Sequence, residues 1–404
     1  MADDTKKPVG TEAKVVWSPE VLEAAIRRRI RETIETVLEA ELDAALGAGL
    51  SARVGDQRRG YRHGIRTRTL TTSGGPTVVE VPRARLREGS RTVEWHSETL
   101  PRYQRRTARV DEAILGVYLA GGNSRRIRGA LAPLLRGGPL SKDAVSRLVG
   151  RLAADFETWQ QRDLANDAIR YLLLDGWYPK VRLGQRRVRV PVLVTMGVRA
   201  DGQRVLLDMR LVGDESTAAW RDVIQQLQAR HLGTPVLAVI DGNPGLATAL
   251  REAWPAIGIQ RCTAHKLRNL TAKAPARVRE EVAEDFRRVI YAETAALVQQ
   301  RRASFVRKWR LQCPAVAQSF EEAGDELFTF LRFPASQWKA LRTTNALERI
   351  NEEFRRRTKT QASLPSQDAV LLLLFGLLRA GHIRVRKIDG WQEMPQVTAA
   401  AVAA

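Results

Sequence analysis

The stretch Pro235-Val-Leu-Ala-Val-Ile-Asp-Gly-Asn-Pro-Gly245 shows how the chain is organised. An apolar run with β-branched residues ends abruptly at Asp241, and turn-forming residues follow it. Such a run predicts a buried strand, and the glycines and proline after it predict a turn into a helix that starts near Leu246. The strand is therefore expected to carry one carboxylate at its C-terminal tip.

A second stretch, Ile169-Arg-Tyr-Leu-Leu-Leu-Asp-Gly-Trp177, has the same form, with Asp175 at the tip. Two strands that each end in Asp-Gly predict a pair of carboxylates at one edge of a sheet, an arrangement suited to a divalent metal ion. Asp-Gly after a strand is also ordinary turn chemistry. Both interpretations stay open until a third carboxylate is found.

The composition indicates a globular protein with a polyanionic partner. Its 404 residues favour two to four domains. Lys and Arg number 66 against 45 Asp and Glu, which gives a formal net charge of +21. A surplus of this size predicts nucleic acid as the partner. A genome biased towards Arg codons is the alternative explanation.

We expect a soluble, cytoplasmic protein with no membrane partner. The only two cysteines, Cys262 and Cys313, exclude a disulfide framework and fit a reducing compartment. The first seven residues, Met1-Ala-Asp-Asp-Thr-Lys-Lys, lack the features of a signal peptide. The longest apolar run, residues 369–378, is too short to span a bilayer.

The N-terminal part is expected to contain a flexible lead, residues 1–17, and a DNA-binding unit, residues 18–104. Ser18 and Pro19 predict the start of a helix that fades at Gly47. After it we predict a basic loop over residues 58–70 and a short strand over residues 77–81. A second basic run comprises Arg83, Arg85 and Arg87. Such segments suit contacts with phosphates, but a solvated surface explains them equally well.

Residues 105–165 predict three helices joined by glycine turns, over residues 110–120, over residues 124–135 and onward from a cap at Ser141. The arrangement resembles a helix-turn-helix unit, so DNA binding is expected. Plain packing of three helices is the alternative. The candidate DNA contacts on these helices are Arg125, Arg126, Arg128, Lys142 and Arg147.

From residue 166 the pattern changes to that of an α/β domain. Strand-like runs over residues 171–174, 189–198 and 204–212 precede a helix (216–231), the strand ending at Asp241, a helix (246–254) and a short strand (257–260). This is the order of the ribonuclease-H-like core, a mixed sheet flanked by helices. By analogy with that fold the first and fourth strands are neighbours, which brings Asp175 beside Asp241.

Cys262 and His265 follow the last of these strands, in a chain with five histidines. They match half of a zinc site, but no second Cys/His pair follows at a suitable distance, so zinc is not expected. A catalytic Cys–His pair is a weak alternative, and a buried cysteine near a hydrogen-bonded histidine is the plain one. Residues 270–340 then predict helices only, as an all-α insertion into the catalytic domain.

The third carboxylate, Glu348, lies beyond this segment. Thr344 or Asn345 can cap a helix there, and Glu348 lies beside its apolar stripe. The stripe comprises Leu347, Ile350 and Phe354, and the basic residues of the last turns are Arg355, Arg356, Arg357 and Lys359. Glu352 and Glu353 are rivals for an acidic role, and Glu348 alone fits a solvated position. The combination with two Asp-Gly strands favours Glu348 as the third member of a metal site.

Six groups of residues stand in order along the chain. They are Tyr61-Arg-His-Gly64 with Val81-Pro-Arg83; Leu174-Asp-Gly-Trp-Tyr-Pro-Lys180; Gly213-Asp-Glu-Ser216 with Trp220; Ile240-Asp-Gly-Asn-Pro-Gly-Leu246; Gln260-Arg-Cys-Thr-Ala-His265 with Arg268-Asn269; and Thr343-Thr-Asn-Ala-Leu-Glu348 with Arg355-Arg-Arg357. Together they resemble the Mutator-type transposases of bacterial insertion sequences. Each group is weak alone, but the ordered set is specific, covers about residues 61–381 and lacks no motif residue.

By this resemblance, the family's Asp-Asp-Glu triad falls on Asp175, Asp241 and Glu348, and its Cys-x-x-His signature on Cys262 and His265. The resemblance implies a ribonuclease-H-like core formed by residues 166–269 and 341–390, interrupted by the insertion and followed by a tail at 391–404. It implies a DNA transposase that binds terminal inverted repeats, cleaves DNA strands and transfers them to a target.

The implied chemistry is in-line displacement at phosphorus. Two Mg²⁺ ions about 3.5–4 Å apart, which Mn²⁺ can replace, would stabilise the attacking and leaving oxygens. We expect Asp175 and Asp241 to hold both ions and Glu348 to complete the second. His265 and Arg268, with Cys262 beside them, are expected to support the site and orient DNA.

The implied partners are the element ends and the target DNA. A complex that holds two ends implies a homodimer, and a bacterial protein of this kind is expected at the nucleoid when bound to DNA. The basic end of the Glu348 helix, from Arg355 to Lys359, is expected to grip the DNA backbone, a contact that weakens with salt.

Two other functions remain open at this point. The alternatives to a transposase are a transposase-derived DNA-binding regulator that keeps the triad as structural polar residues, and a ribonuclease-H-like nuclease for RNA or branched DNA. Metal-dependent strand transfer separates the first from a transposase, and dependence on the end sequence separates the second.

Overall fold

The computed structural model describes residues 18–52, 58–122, 124–136, 140–183, 185–360 and 366–396. The chain forms two compact units, one comprising Met1–Tyr118 and Gly122–Leu148 and the other Leu119–Gly121 and Val149–Ala404. The predicted lead and most of the predicted tail lie outside the described residues. The finer domain boundaries stay predictions.

The first unit begins with helix α1, Pro19–Leu46. Its start is as predicted, because the Ser18 side chain accepts a hydrogen bond from the Val21 backbone N–H, and Pro19 occupies the first turn. Gly47, in a left-handed conformation with φ of 66°, ends the helix. The buried face of α1, with Leu38 and Leu42, packs on a small β-sheet.

This sheet contains β1 (Gly60–Thr72), β2 (Gly75–Glu88) and β3 (Arg91–Glu94), in antiparallel order β1-β2-β3. The predicted basic loop over residues 58–70 is therefore wrong, and the strand predicted at 77–81 is too short. The two long strands pair from Gly60–Leu86 to Thr72–Gly75. Cross-strand pairing, together with the burial of alternate residues of β2, outweighs the high Arg content, because long Arg side chains extend from the solvent side of a strand.

The helices that follow are α2 (Ala108–Leu119), α3 (Ser124–Ala130), α4 (Ala132–Leu135) and α5 (Lys142–Gln161). Ser141 accepts a hydrogen bond from the Ala144 N–H at 3.1 Å, as predicted for the third helix. The predicted second helix is broken at Leu131, which leaves helical geometry with φ of −102° and ψ of 13°. Pro133 explains the break, because it has no N–H to continue the helix from α3.

The second unit is built on a five-stranded mixed sheet of order β10-β9-β4-β7-β8. Its strands are β4 (Ile169–Trp177), β7 (Val192–Arg199), β8 (Arg204–Leu211), β9 (Leu237–Ile240) and β10 (Gly258–Arg261), with a separate hairpin of β5 (Lys180–Leu183) and β6 (Arg186–Arg189). The predicted neighbourhood of the first and fourth core strands is confirmed, since β4 pairs with β9 in parallel. The hairpin was not predicted, and Val190-Pro191 separates it from β7.

Helices α6 (Thr217–Ala229) and α7 (Pro244–Ala253) cover one face of this sheet. Leu172 and Leu174 of β4 share a buried cluster there with Trp220 of α6 and Leu246 of α7. Because side chains of a strand alternate between faces, the odd-numbered residues of β4 from Tyr171 to Trp177 point to the opposite face. Tyr171 confirms this, as its hydroxyl donates to Gln337 at 2.7 Å.

The rest of the unit is helical. It contains α8 (Thr263–Lys273), α9 (Arg279–Ile290), α10 (Ala295–Gln312), α11 (Pro314–Glu322), α12 (Trp338–Leu341), α13 (Asn345–Thr360), α14 (Asp368–Arg379) and several 3-10 turns. Between α8 and α12 the described chain has no strand, as predicted for residues 270–340. Among the described helices, none combines the length and apolarity that a membrane span needs.

Candidate active site

Asp175 of β4 and Asp241, the residue directly after β9, lie near each other at one edge of the sheet. The pairs Tyr171–Leu237 and Leu173–Val239 fix an offset of 66 residues between β4 and β9 (237 − 171). The same offset relates the two aspartates (241 − 175). Asp175, two residues after Leu173 on β4, extends from the face of the sheet opposite α6 and α7. Burial raises the pKa of Asp175, and Asp241 is close enough for its charge to raise that pKa further.

The prediction that Asp175 ends its strand is wrong. β4 continues to Trp177, because β7 runs beside it and pairs Asp175 with Val194 and Trp177 with Val192. The pairing with β9 stops at Leu173, so the two parallel strands end their ladder just before the aspartates. Asp175 is thus anchored on one side by a continuous ladder and open on the side of Asp241.

Asp175 is only 6% exposed. Burial is the largest cause that raises its pKa to about 7, and the nearby charges of Asp241, Glu348 and Glu215 raise it further, while His265 acts in the opposite direction. A carboxyl group in such surroundings is short of positive charge. A divalent cation next to it would offset both the burial and the repulsion.

Asp241 is held by the turn that starts α7. Its Oδ1 accepts a hydrogen bond from the Asn243 N–H at 2.9 Å. The side-chain oxygen of Asn243 caps α7 by accepting from the N–H groups of Gly245 and Leu246. Gly242, between Asp241 and Asn243, has φ of 102°, and a Cβ there would lie 2.7 Å from the Arg261 guanidinium. The Asp-Gly-Asn-Pro-Gly sequence is therefore what this turn needs.

Glu348 comes to the site on α13. The predicted apolar stripe of this helix is confirmed, since Leu347, Ile350 and Phe354 are all buried. The Phe354 ring meets the Trp177 ring edge to face at 4.6 Å between centroids. Trp177 points to the same face of β4 as Asp175, so this contact places α13 over the aspartates.

The Glu348 carboxylate is bound to a cation of α8. Its Oε1 accepts from Arg268 Nη2 at 2.5 Å and lies 4.0 Å from His265 Nε2. As the side chains of the described residues stand, no three His, Cys, Asp or Glu residues group closely enough to hold a metal ion. Glu348 would have to leave Arg268 to join the aspartates. Its rival Glu353 is paired with Arg356 at 2.7 Å.

Cys262 fastens α8 to the segment before α13. It is buried at the start of α8, and its Sγ accepts from the N–H and hydroxyl of Thr344 at 3.4 and 3.5 Å. Burial raises the pKa of the Cys262 thiol, but His265 and Thr344 outweigh this and the net shift is downward. The pKa of His265 is raised to about 9, first by Cys262, against the opposing effect of burial. His265 is thereby a cation beside Glu348 near neutral pH.

Glu215, for which the sequence predicts no role, reaches the same region. It precedes α6, and its carboxylate accepts from the Tyr178 hydroxyl at 3.0 Å, from Trp220 Nε1 at 3.2 Å and from Asn243 Nδ2 at 3.3 Å. Burial, and then the hydrogen bond to Glu215, raise the pKa of Tyr178 to about 12. The only sequence signal was the position of Glu215 in the Gly213-Asp-Glu-Ser216 motif.

The candidate DNA contacts of the sequence lie in both units. Arg125, Arg126, Arg128, Lys142 and Arg147 are exposed in the first; Arg355 and Arg356 are exposed and Arg357 is half-buried in the second; the Lys359 side chain lies outside what the structure describes. The first unit also has a pocket of about 300 Å³ beside its sheet. Its basic lining comprises Arg66, Arg68, Arg83, His96 and Arg102, against one carboxylate, Glu94.

Comparison with known proteins identifies the family. The model of the family described as "Transposase, Mutator family" matches residues 11–386. The chain belongs to this family. The transposase for insertion sequence element ISRM5 of Rhizobium meliloti (strain 1021) is 32% identical over 337 residues, which is 83% of this chain and 81% of that protein.

Other relatives of this Mutator-family protein are similar over comparable lengths. The transposase for IS406 of Burkholderia multivorans is 33% identical over 80% of this chain and 82% of its own length. The transposase for IS1081 of Mycobacterium tuberculosis is 30% identical over 84% and 79%. Among solved structures, the Drosophila P element transposase strand transfer complex aligns with 68% of this chain and 79% of that chain, at 11% identity and a TM-score of 0.29, which is too low to support an argument about fold.

Proposed function

We propose that this Mutator-family protein is the DNA transposase of an insertion sequence, which binds the terminal inverted repeats and cleaves and transfers DNA strands through Asp175, Asp241 and Glu348. The observation that supports the proposal is the parallel pairing of β4 with β9, which brings Asp175 and Asp241, the residue after β9, to one edge of the sheet. The helix of Glu348 contacts β4 there through Phe354 and Trp177. The family membership supplies the reaction class. The order of the strands supports a ribonuclease-H-like core.

The donor set fits a pair of divalent ions. Asp175 and Asp241 offer carboxylate oxygens, which Mg²⁺ prefers, and Mn²⁺ accepts the same ligands. When bound, two such ions would stabilise the attacking and leaving oxygens of phosphodiester displacement and lower the pKa of an attacking water. Glu348 is a half-buried carboxylate on a neighbouring helix that would complete the set by exchanging Arg268 for metal.

The protein's own groups would bind and orient the DNA. His265, cationic because of its raised pKa, and Arg268 face Glu348 at the same edge and would bind the phosphate next to the scissile bond. When Arg268 leaves Glu348, Arg268 would bind the DNA phosphate and Glu348 would bind a metal ion, so each would have a partner of opposite charge. Water cuts the element end first, and the freed 3′-hydroxyl attacks the target phosphate.

The partners follow from this reaction. Two element ends and a target meet in one complex, so we propose a homodimer that works on nucleoid DNA in the cytoplasm. The formal charge of +21 favours a polyanionic partner of this kind. The exposed basic residues of α3, α5 and α13 are proposed to contact phosphates.

A strand-transfer assay tests the proposal. Purified full-length protein is incubated with duplexes that carry the inverted repeats flanking its gene and with a target plasmid, with Mg²⁺ or with EDTA. We expect metal-dependent nicking at the repeat boundary and joining of the 3′ end to the plasmid. Sequence-specific binding without cleavage would instead identify a regulator, and cleavage regardless of end sequence would identify a nuclease.

The basic pocket of the first unit should contribute to DNA affinity. Because Arg66 lines the pocket on an exposed strand position, Arg66→Ala is expected to weaken binding of an end duplex and to reduce the slope of log K against log salt by about 0.9, one phosphate contact. Fluorescence anisotropy at several salt concentrations measures both. Arg29→Ala is the control, since Arg29 is an exposed arginine of α1 outside the pocket. An unchanged slope for Arg66→Ala would contradict a phosphate contact.

A further inference from the structure

Glu215 joins the two chain segments that follow the catalytic aspartates. Tyr178 comes three residues after Asp175, and Asn243 comes two residues after Asp241. Both donate to the Glu215 carboxylate, at 3.0 and 3.3 Å, and Trp220 of α6 donates at 3.2 Å. One side chain thus links β4, β9 and α6 at the edge of the sheet where the aspartates lie.

Gly176 shows how closely this carboxylate approaches the strand. A Cβ on Gly176 would lie 2.2 Å from Glu215 Oε2 and 2.6 Å from its Cδ. Gly176 is not among the glycines with positive φ, so its backbone conformation does not require glycine. The space beside the residue after Asp175 is occupied by the Glu215 carboxylate, so a Cβ at position 176 would displace that carboxylate from its present place.

The connection to Asp241 is equally short. Asn243 donates its backbone N–H to Asp241 and its side-chain N–H to Glu215, while its side-chain oxygen caps α7. A displacement of Glu215 would therefore move Asn243 and, through it, Asp241. It would also change the packing against Gly176, the residue next to Asp175.

We propose that Glu215 is a positioning residue that sets the separation of Asp175 and Asp241 for the metal pair. This inference rests on the proposed function. A carboxylate suits the task because it only accepts hydrogen bonds and has room for about four, enough for three donors. Glutamine can keep an oxygen for Trp220 and Asn243, but it then presents an NH2 group to Tyr178, whose hydroxyl would have to turn and accept. Helix capping does not explain Glu215, because Ser216 caps α6 by accepting from the Ala219 N–H.

The test measures Mn²⁺ affinity of the full-length protein by calorimetry, together with the Mg²⁺ concentration for half-maximal nicking. Glu215→Gln and Gly176→Ala are each expected to weaken Mn²⁺ binding about tenfold or more, with affinity for end DNA unchanged. Gly176→Ala should add little in a Glu215→Ala background, because the clash is then gone. Tyr178→Phe, which removes one donor and little volume, should give a smaller shift in the same direction.

Matched controls are Glu252→Gln, on the exposed surface of α7, and Gly213→Ala, where a Cβ would meet nothing within 4 Å. Wild-type Mn²⁺ affinity in both Glu215→Gln and Tyr178→Phe would overturn the inference, as would full additivity of Gly176→Ala and Glu215→Ala. Asp241→Asn distinguishes a failure of the positioning role of Glu215 from a failure of the proposed metal site. If Asp241→Asn loses Mn²⁺ binding and Glu215→Gln does not, only the positioning role is wrong; if Asp241→Asn also binds like wild type, the proposed metal site is wrong.

Discussion

Asp241→Asn is expected to reduce nicking of element-end DNA by roughly 10³-fold or more, while binding of the end remains. Asp241 directly follows β9, the strand beside β4, so both carboxylates would share the metal pair at this edge of the sheet. A metal ion that stabilises developing charge contributes several kcal/mol, and about 4 kcal/mol corresponds to 10³-fold in rate. Single-turnover cleavage of a labelled end in Mg²⁺ measures the rate, and gel shift in EDTA measures binding.

The substitution should leave the turn nearly intact. Asparagine keeps the side-chain oxygen that accepts from the Asn243 N–H, so the start of α7 is preserved. Asp222→Asn is the matched control, since Asp222 is an exposed aspartate of α6 paired with Arg210. Cleavage by Asp241→Asn at the wild-type rate would contradict the assignment, and a loss of end binding would point to a structural defect instead.

The neighbourhood of β4 and β9 was predicted by analogy with the ribonuclease-H-like fold, because the succession of three strands, a helix, a strand, a helix and a strand matches that fold. The structure has this neighbourhood. The position of Asp175 inside β4 was not predictable in this way. It depends on how far β7 extends beside β4, and the sequence after Asp175 carries the same Asp-Gly signal in either case.

The incorrect predictions for the first unit have a different cause. Arg-rich runs such as residues 58–70 lack the apolar alternation by which strands are recognised. Residues 60–70 form a strand because they pair with β2, with one register shift between Arg62 and Ile65, and because α1 packs against β2. Tertiary contacts of this kind outweigh local preference, and they are visible only in three dimensions.

The surroundings of Glu348 were predictable only in part. Its helix and apolar stripe were predictable from spacing, and the Trp177–Phe354 contact explains why the stripe faces β4. The hydrogen bond to Arg268 was not predictable, because the two residues are 80 positions apart (348 − 268). The role of Glu215 was not predictable for the same reason, because Gly176 and Asn243 are distant from it in sequence and contact it only in the folded chain.

Asp175→Asn is expected to stabilise the metal-free protein at pH 8 while removing its stabilisation by Mg²⁺. The pKa of Asp175 is about 7 in the folded protein against an ordinary value of 3.8. A carboxyl group with a raised folded pKa favours folding less as pH rises from about 4 to about 7, and the loss is complete above that range. The difference of about three pKa units corresponds to at most about 4 kcal/mol.

Asparagine carries no charge, so the variant avoids this loss, and its advantage over wild type should grow between pH 5 and pH 8. Mg²⁺ reverses the order at pH 8, because it binds the ionised wild-type site and stabilises the folded state by mass action. Thermal unfolding at pH 5 and at pH 8, each with Mg²⁺ and with EDTA, measures the stability of both proteins under the four conditions. Asp222→Asn is the control that reports the effect of removing a surface aspartate. A variant that is less stable than wild type at pH 8 in EDTA would mean that the Asp175 carboxylate is stabilised by the protein itself. Greater stability without metal, combined with lost response to Mg²⁺, would mean that the fold tolerates a buried, repelled carboxylate at this position because the cation requires it there.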